Sequence, residues 1–108
     1  MAKSIKIPRS RMSAVDRLIR FDFEVPRGAT PTPGGLREII AQAEQAGETL
    51  ELLDPEGSIS LGRVTVFEQR VHSLENTGLD QWVVRLRAED EKAQDTLAAL
   101  PPGPPDPY

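Results

Sequence analysis

Cysteine is missing from the chain. That absence excludes disulfide staples, thiolate metal sites and cysteine nucleophiles, and it favours an intracellular (cytoplasmic) or virion setting over a secreted one. Histidine occurs once, at His72, so no pair of imidazoles is available for a metal or a catalytic relay. Aromatic residues make up 5% of the chain and apolar residues 38%. The usual apolar share is about 45–50%, so a small core is expected. No apolar run approaches a membrane span. Met1-Ala2-Lys3-Ser4-Ile5-Lys6 lacks the apolar stretch of a signal peptide.

What is present is charge, unevenly placed. Residues 1–20 hold Lys3, Lys6, Arg9, Arg11, Arg17 and Arg20 against Asp16 alone, a net of +5. The remainder is net −9, giving −4 for all 108 residues. A basic arm over residues 1–17 on an acidic body is the reading this suggests.

The clearest element is the helix following Thr32-Pro33-Gly34-Gly35. Leu36, Ile39, Ile40 and Ala43 recur at i, i+3, i+4 and i+7 and share one face. Thr32 suits the N-cap and Pro33 the first helical position. Gly47 suits a left-handed residue just past the end. A helix this short is marginal alone, so its stripe must pack on a sheet.

Strands surround it. Ile19, Phe21, Phe23 and Val25 alternate with Arg20, Asp22 and Glu24, which predicts a strand with one buried and one charged face. Thr49–Leu53 predicts a short strand, and Asp54-Pro55-Glu56-Gly57 a type I turn. Ser58–Leu61 resumes the sheet, with Gly62 as a bulge or bend. In the longer strand Arg63–Val71 the alternation slips at Val66-Phe67, which suggests a bulge or two buried faces. Glu75-Asn76-Thr77-Gly78 signals a hairpin. In Asp80–Ala88, Trp82, Val84 and Leu86 point in, while Arg85 and Arg87 point out. Glu89–Leu100 returns to helical spacing with acids at its start.

Near the N-terminus, Ser4-Ile5-Lys6-Ile7 suits an edge strand that Pro8 would end. Arg9–Ser13 reads as irregular chain, and Ser13–Asp16 as at most a helical turn. The tail Pro101–Tyr108 reads as extended. These elements predict an α+β fold. It is a small mixed sheet of about four to five strands, with one main helix on one face, a short C-terminal helix and extended tails. Strand 18–25, the helix and strand 49–53 are expected to form a parallel pair with a right-handed crossover. The expected organisation is an arm at 1–17, one domain at 18–100 and a tail at 101–108.

Each candidate for chemistry has a simpler structural reading. His72 follows a strand and reads as structural. Glu89, Asp90, Glu91 and Asp95 lack the spacing of a calcium loop and read as a solvated helix start. Asp54 and Glu56 belong to their turn. Gly34-Gly35 could cradle a phosphate at a helix start, yet neither G-x-G-x-x-G nor the P-loop lysine is present. The aromatics sit at core positions rather than outward among cations, which disfavours stacking on nucleic acid. No enzyme, metal, cofactor or small-molecule substrate is expected.

The expected function is therefore a non-enzymatic structural subunit of a larger assembly, in its most concrete form a virion or phage head or tail component. Extended arms would contact copies of the same chain or other protein subunits through Lys3, Ile5, Lys6, Ile7, Arg9 and Arg11. The alternative is a small intracellular adaptor or regulator that binds a protein through a sheet edge or the proline-rich tail. Nucleic acid is a lesser expectation, because the acidic body would repel it.

Overall fold

The basic start of the chain is sheet rather than arm. The computed structural model describes residues 3–26 and 35–103. In it Lys3–Lys6 forms β1 and Met12–Val15 forms β2, with a short 3-10 turn at Arg9–Arg11 between them. Ile5, Ile7 and Met12 are buried in the main core. This corrects the expectation of a basic arm over residues 1–17. The edge that Ile5 and Ile7 need is supplied by the same chain.

That edge is β4 (Thr49–Leu53), which β1 joins in parallel with Ile5 opposite Leu52. The Ile7 N–H donates to the Leu53 carbonyl at 3.1 Å. Pro8, at φ −63° and ψ 135°, then ends the ladder as its missing N–H requires.

Residues read as irregular or helical at 12–16 are instead β2, antiparallel to β3 (Leu18–Pro26). Only Asp16 and Arg17 separate the partners Val15 and Leu18. Both turn residues have positive φ, 52° and 65°, as a two-residue hairpin turn of the primed type demands. The sequence carries no Asn-Gly or Asp-Gly signal here. The left-handed conformation costs a β-carbon roughly 1–2 kcal/mol, so Arg17→Gly is expected to stabilise the fold by about 1 kcal/mol. A chemical-denaturation midpoint that does not rise would contradict this turn.

The remaining elements are α1 (Leu36–Ala46), β5 (Ser60–Leu74), β6 (Leu79–Ala88) and α2 (Glu91–Ala99). The sheet has six strands in the order β1-β4-β5-β6-β3-β2. It is mixed because β1–β4 is parallel and the other neighbours are antiparallel. The fold is α+β, with one main helix and a short C-terminal one. The strand count exceeds the expected four to five because β2 was read as irregular chain and the edge strand at Ser4–Ile7, which is β1, was assigned to the arm rather than to the domain. The parallel pair also lies elsewhere than expected. β3 and β4 flank α1 in sequence, but β5 and β6 lie between them in the sheet.

One sheet face carries the core. Directly opposed residues share a face, so Ile19, Phe21 and Phe23 line up with Leu86, Val84 and Trp82. Ile40 and Ala43 of α1 and Ala93 of α2 join the same buried cluster. Leu36 and Ile39 pack against it from α1, and Leu97 from α2. Gly47 ends α1 in the left-handed conformation, φ 66°, with its N–H on the Ala43 carbonyl. The predicted cap residues Thr32 and Pro33 lie outside the described residues.

Both predicted irregularities of the long strand are present. The β4–β5 register shifts at Leu52/Leu53, beside Gly62, and the β5–β6 register shifts between Val66 and Glu68. The Asp54–Gly57 turn closes with the Gly57 N–H on the Asp54 carbonyl at 2.9 Å. After α2, Pro101–Gly103 runs along the outer edge of β2. The Ala14 N–H donates to the Pro101 carbonyl at 2.8 Å, and the Gly103 N–H donates to the Ala14 carbonyl at 3.0 Å. The rest of the proline-rich tail, 104–108, lies outside the described residues.

Candidate functional site

The six arm residues do not form one binding surface. Ile5 and Ile7 are buried, so no partner can reach them. Lys3 Nζ donates to Gln42 Oε1 at 2.6 Å and ties β1 to α1. The Lys6 stem passes over Gly57. Arg9 is exposed on the 3-10 turn. The Arg11 guanidinium lies 5.6 Å from the centre of the Phe23 ring. The charged groups of Lys3 and Arg11 thus contact the protein's own body.

Two of the acidic candidates, Asp90 and Asp54, accept backbone N–H groups. Asp90 caps α2, with Oδ1 accepting from the Ala93 N–H at 2.8 Å and the Arg63 N–H at 3.1 Å. The Ala93 N–H is the main reason its carboxyl titrates below the usual value; partial desolvation opposes it, and the Arg63 N–H and charge add to it. Asp54 is lowered likewise, first by the Ile59 N–H at 3.0 Å, against desolvation and with help from Ser58. Among the described residues no group of three or more His, Cys, Asp or Glu could hold a metal. His72 sits on β5 opposite Gln81. Gly35 precedes α1 with φ 68° and gives no side-chain cap, while Gly34 lies outside the described residues.

Asp90 gives a direct test. A carboxylate with a lowered folded pKa stabilises above its unfolded pKa, near 3.9, and that contribution disappears as pH falls through the folded value. Asp90→Ala should cost about 1 kcal/mol at neutral pH, the usual worth of an N-cap. Asp90→Asn should flatten the acid limb of the stability curve. Unfolding titrations from pH 7 downward measure both, and an acid limb unchanged in Asp90→Asn would rule the cap out as its source.

The sheet face away from the helices is lined by alternating charges. Arg20, Arg85 and Glu68 stand side by side across β3, β6 and β5. Arg85 pairs with Glu68 at 3.0 Å, Arg70 with Glu68 at 3.5 Å, and Arg20 with Asp22 at 3.7 Å. Gln81 Nε2 donates to Asp22 at 2.7 Å. Arg20 lies on the strand's expected charged face, opposite the buried one, yet it is only 3% exposed. Burial by neighbours in space cannot be read from the alternation within one strand.

The feature that stands out is β5 itself. Its pairing with β4 stops at Thr65 opposite Thr49, while its pairing with β6 continues to Leu74. From Val66 onward, no other strand among the described residues lies beside it on the β4 side. Phe67 and Val71, each 49% exposed, are two of the three exposed large hydrophobics among the described residues, and both lie on this stretch. Phe67 is the extra residue of the bulge, and the Arg87 guanidinium lies 5.4 Å from its ring centre. An open cleft of about 330 Å³ runs alongside, between α1 and Gln69, Arg70 and Val71. Gln69 anchors the inner side. Its Oε1 accepts from Trp82 Nε1 at 3.0 Å, and its Nε2 donates to Glu44 at 3.1 Å.

Sequence reasoning missed this edge. The slip at Val66-Phe67 located the bulge, but nothing in the residues says that β4 ends opposite Thr65. The nearest available signal was length: β5 has 15 residues and β4 has 5.

A second concavity, about 270 Å³, is lined by Lys6, Pro8, Phe23, Glu24, Val25, Leu36 and Trp82. It adjoins both ends of the undescribed segment 27–34. Compared with family models, curated proteins and solved structures, the chain matches none. Among the described residues no helix is long and apolar enough to cross a membrane.

Proposed function

We propose that the protein is a non-enzymatic structural subunit that assembles with copies of itself or with other protein subunits, whether in a virion head or tail or in a cellular complex. The observation that carries this reading is the edge of β5 beyond Thr65, where no other strand pairs on the β4 side among the described residues and Phe67 and Val71 are exposed. A long edge with apolar side chains is a template for another chain, and proteins normally blunt such edges. The other two edges of this sheet are blunted. β1 is four residues long, carries Lys3 and Lys6 and is followed by Pro8, while Pro101–Gly103 covers β2. Assembly thus runs through the sheet rather than through an N-terminal arm. Asp54 and Asp90, the two carboxylates with lowered pKa among the described residues, are both committed to backbone N–H groups, which supports a non-catalytic role.

Light scattering on the purified chain tests the reading. Assembly predicts a mass above that of the 11.9 kDa monomer that grows with concentration. A lone monomer at every concentration counts against it.

A further inference from the structure

We infer that the outer sheet face around Phe67 binds single-stranded nucleic acid, with one base stacked on the Phe67 ring and neighbouring phosphates on Arg63 and Arg87. Such a site goes beyond the assembly reading and is independent of it, because it lies on the face of the sheet and not along its edge.

Residues directly opposed across strands share a face. Trp82, Val84 and Leu86 are buried on the helix side, so Arg85 and Arg87, which alternate with them, point outward. Thr65 opposes Arg87 and Glu68 opposes Arg85. Arg63, two residues before Thr65, opposes Glu51 and shares the outer face. The Arg87 guanidinium lies over the Phe67 ring, 5.4 Å from its centre, so that ring points outward too. Phe67 and Glu68 are consecutive yet stand on one face, which the bulge between Val66 and Glu68 makes possible. The bulge thus adds an aromatic ring to a charged surface.

Stacking on a nucleic acid base needs a ring turned outward among cations. Phe67 meets that condition, and it is 49% exposed. Arg63 and Arg87 are exposed beside it. Neither forms an ion pair with another described residue, although the Arg63 charge reaches the Asp90 carboxyl. Across β4, β5 and β6 the outer face sets Arg63, Arg70, Arg85 and Arg87 against Glu51 and Glu68. The surface is therefore locally cationic on a chain of net charge −4. At physiological salt the more distant acids are screened beyond about 8 Å.

A protein partner fits this face less well. Of the exposed large hydrophobics among the described residues, Val71 opposes Trp82 on the helix side, and Ile59 lies in the turn before β5. Phe67 is left as the single exposed ring on the outer face. One ring is too little for the apolar core of a protein interface, but it is enough for one base.

Fluorescence anisotropy tests the site. A labelled oligothymidylate of about ten nucleotides, titrated with the full chain to about 1 mM, covers the weak end of non-specific affinities. Saturable binding is expected, with log K falling against log salt at a slope of about −1.4, as two phosphate contacts on a single strand predict. Phe67→Ala and Phe67→Leu should each weaken binding at least about fivefold, while Phe67→Tyr keeps it. Arg63→Gln and Arg87→Gln should each make the salt slope shallower by about 0.7. Glu51→Gln removes the acid opposite Arg63 and should tighten binding. Amide NMR shifts at Thr65–Glu68 and Arg87 on adding the oligonucleotide need no variant, and Trp82 emission verifies that each variant is folded. No binding at about 1 mM and low salt would overturn the site. So would Phe67→Leu binding as tightly as the parent. An oligoglutamate of equal charge binding as well as the oligonucleotide would also overturn it, in favour of an acidic protein partner. Each of these outcomes leaves the assembly reading to its own light-scattering test.

Discussion

Deleting residues 1–8 is expected to unfold the protein. The deletion removes β1, and with it Ile5 and Ile7, which are 2% and 0% exposed. It strips the parallel neighbour from β4 and leaves Leu50 and Leu52, both now at 0% exposure, beside an empty edge. Truncating one buried isoleucine to alanine costs about 2–5 kcal/mol. Losing two whole residues of this kind, and the ladder between them, consumes most or all of the roughly 5–15 kcal/mol that holds a typical domain together. Ile7→Ala alone should lower the unfolding free energy by about 2–5 kcal/mol. Trp82, fully buried and in edge-to-face contact with Phe21 at 5.8 Å, reports on the core by its fluorescence. A truncated chain with native Trp82 emission and an unchanged melting midpoint would show that β1 is dispensable.

The same residues show why part of the fold was legible and part was not. Leu36, Ile39, Ile40 and Ala43 repeat over a full helix, and the β3 and β6 alternations each persist over four or more residues. Local periodicity is enough to identify such segments, and α1, β3 and β6 are where it placed them. The bulge at Phe67 was legible for the same reason, as a break in a long alternation. The alternation of Ser4–Ile7 was enough to suggest the edge strand that β1 is, though not that its own chain supplies the partner. β2 is four residues long, too short for a period to assert itself, and it follows a proline and a basic run that read as loose chain. The Asp16-Arg17 turn was hidden because Arg17 adopts a conformation normally announced by glycine. Pairing partners were the least legible. β1 meets β4 across more than 40 residues, and no pattern within either strand names the other. The candidate site inherits that limit. An edge exists only where a neighbouring strand stops, so the six arm residues drew attention while the edge at Phe67–Val71 did not.

Gly62→Ala is expected to be among the most damaging single-methyl changes the chain can carry. Gly62 lies where α2 meets β5, and its φ is 111°, outside the range a β-carbon tolerates. A β-carbon there would sit 2.5 Å from Ala93 Cα and 2.6 Å from its Cβ, and closer still to its backbone nitrogen. That nitrogen cannot move aside cheaply, because its N–H is held by the Asp90 cap at 2.8 Å. Thr96 Oγ1 also donates to the Leu61 carbonyl at 2.8 Å, tying α2 to the residue before Gly62. Forced contact costs about 1–3 kcal/mol and the backbone strain of order 1–3 more, so a loss of about 3 kcal/mol or more is expected. Gly47→Ala is the internal control. Gly47 is also left-handed, at φ 66°, but a β-carbon there meets nothing within 4 Å. Its cost should be the conformational part alone, about 1 kcal/mol. Denaturant unfolding of the two variants side by side separates contact from strain. Equal losses would mean that α2 does not press on β5 at Gly62, and the placement of the C-terminal helix would have to be abandoned.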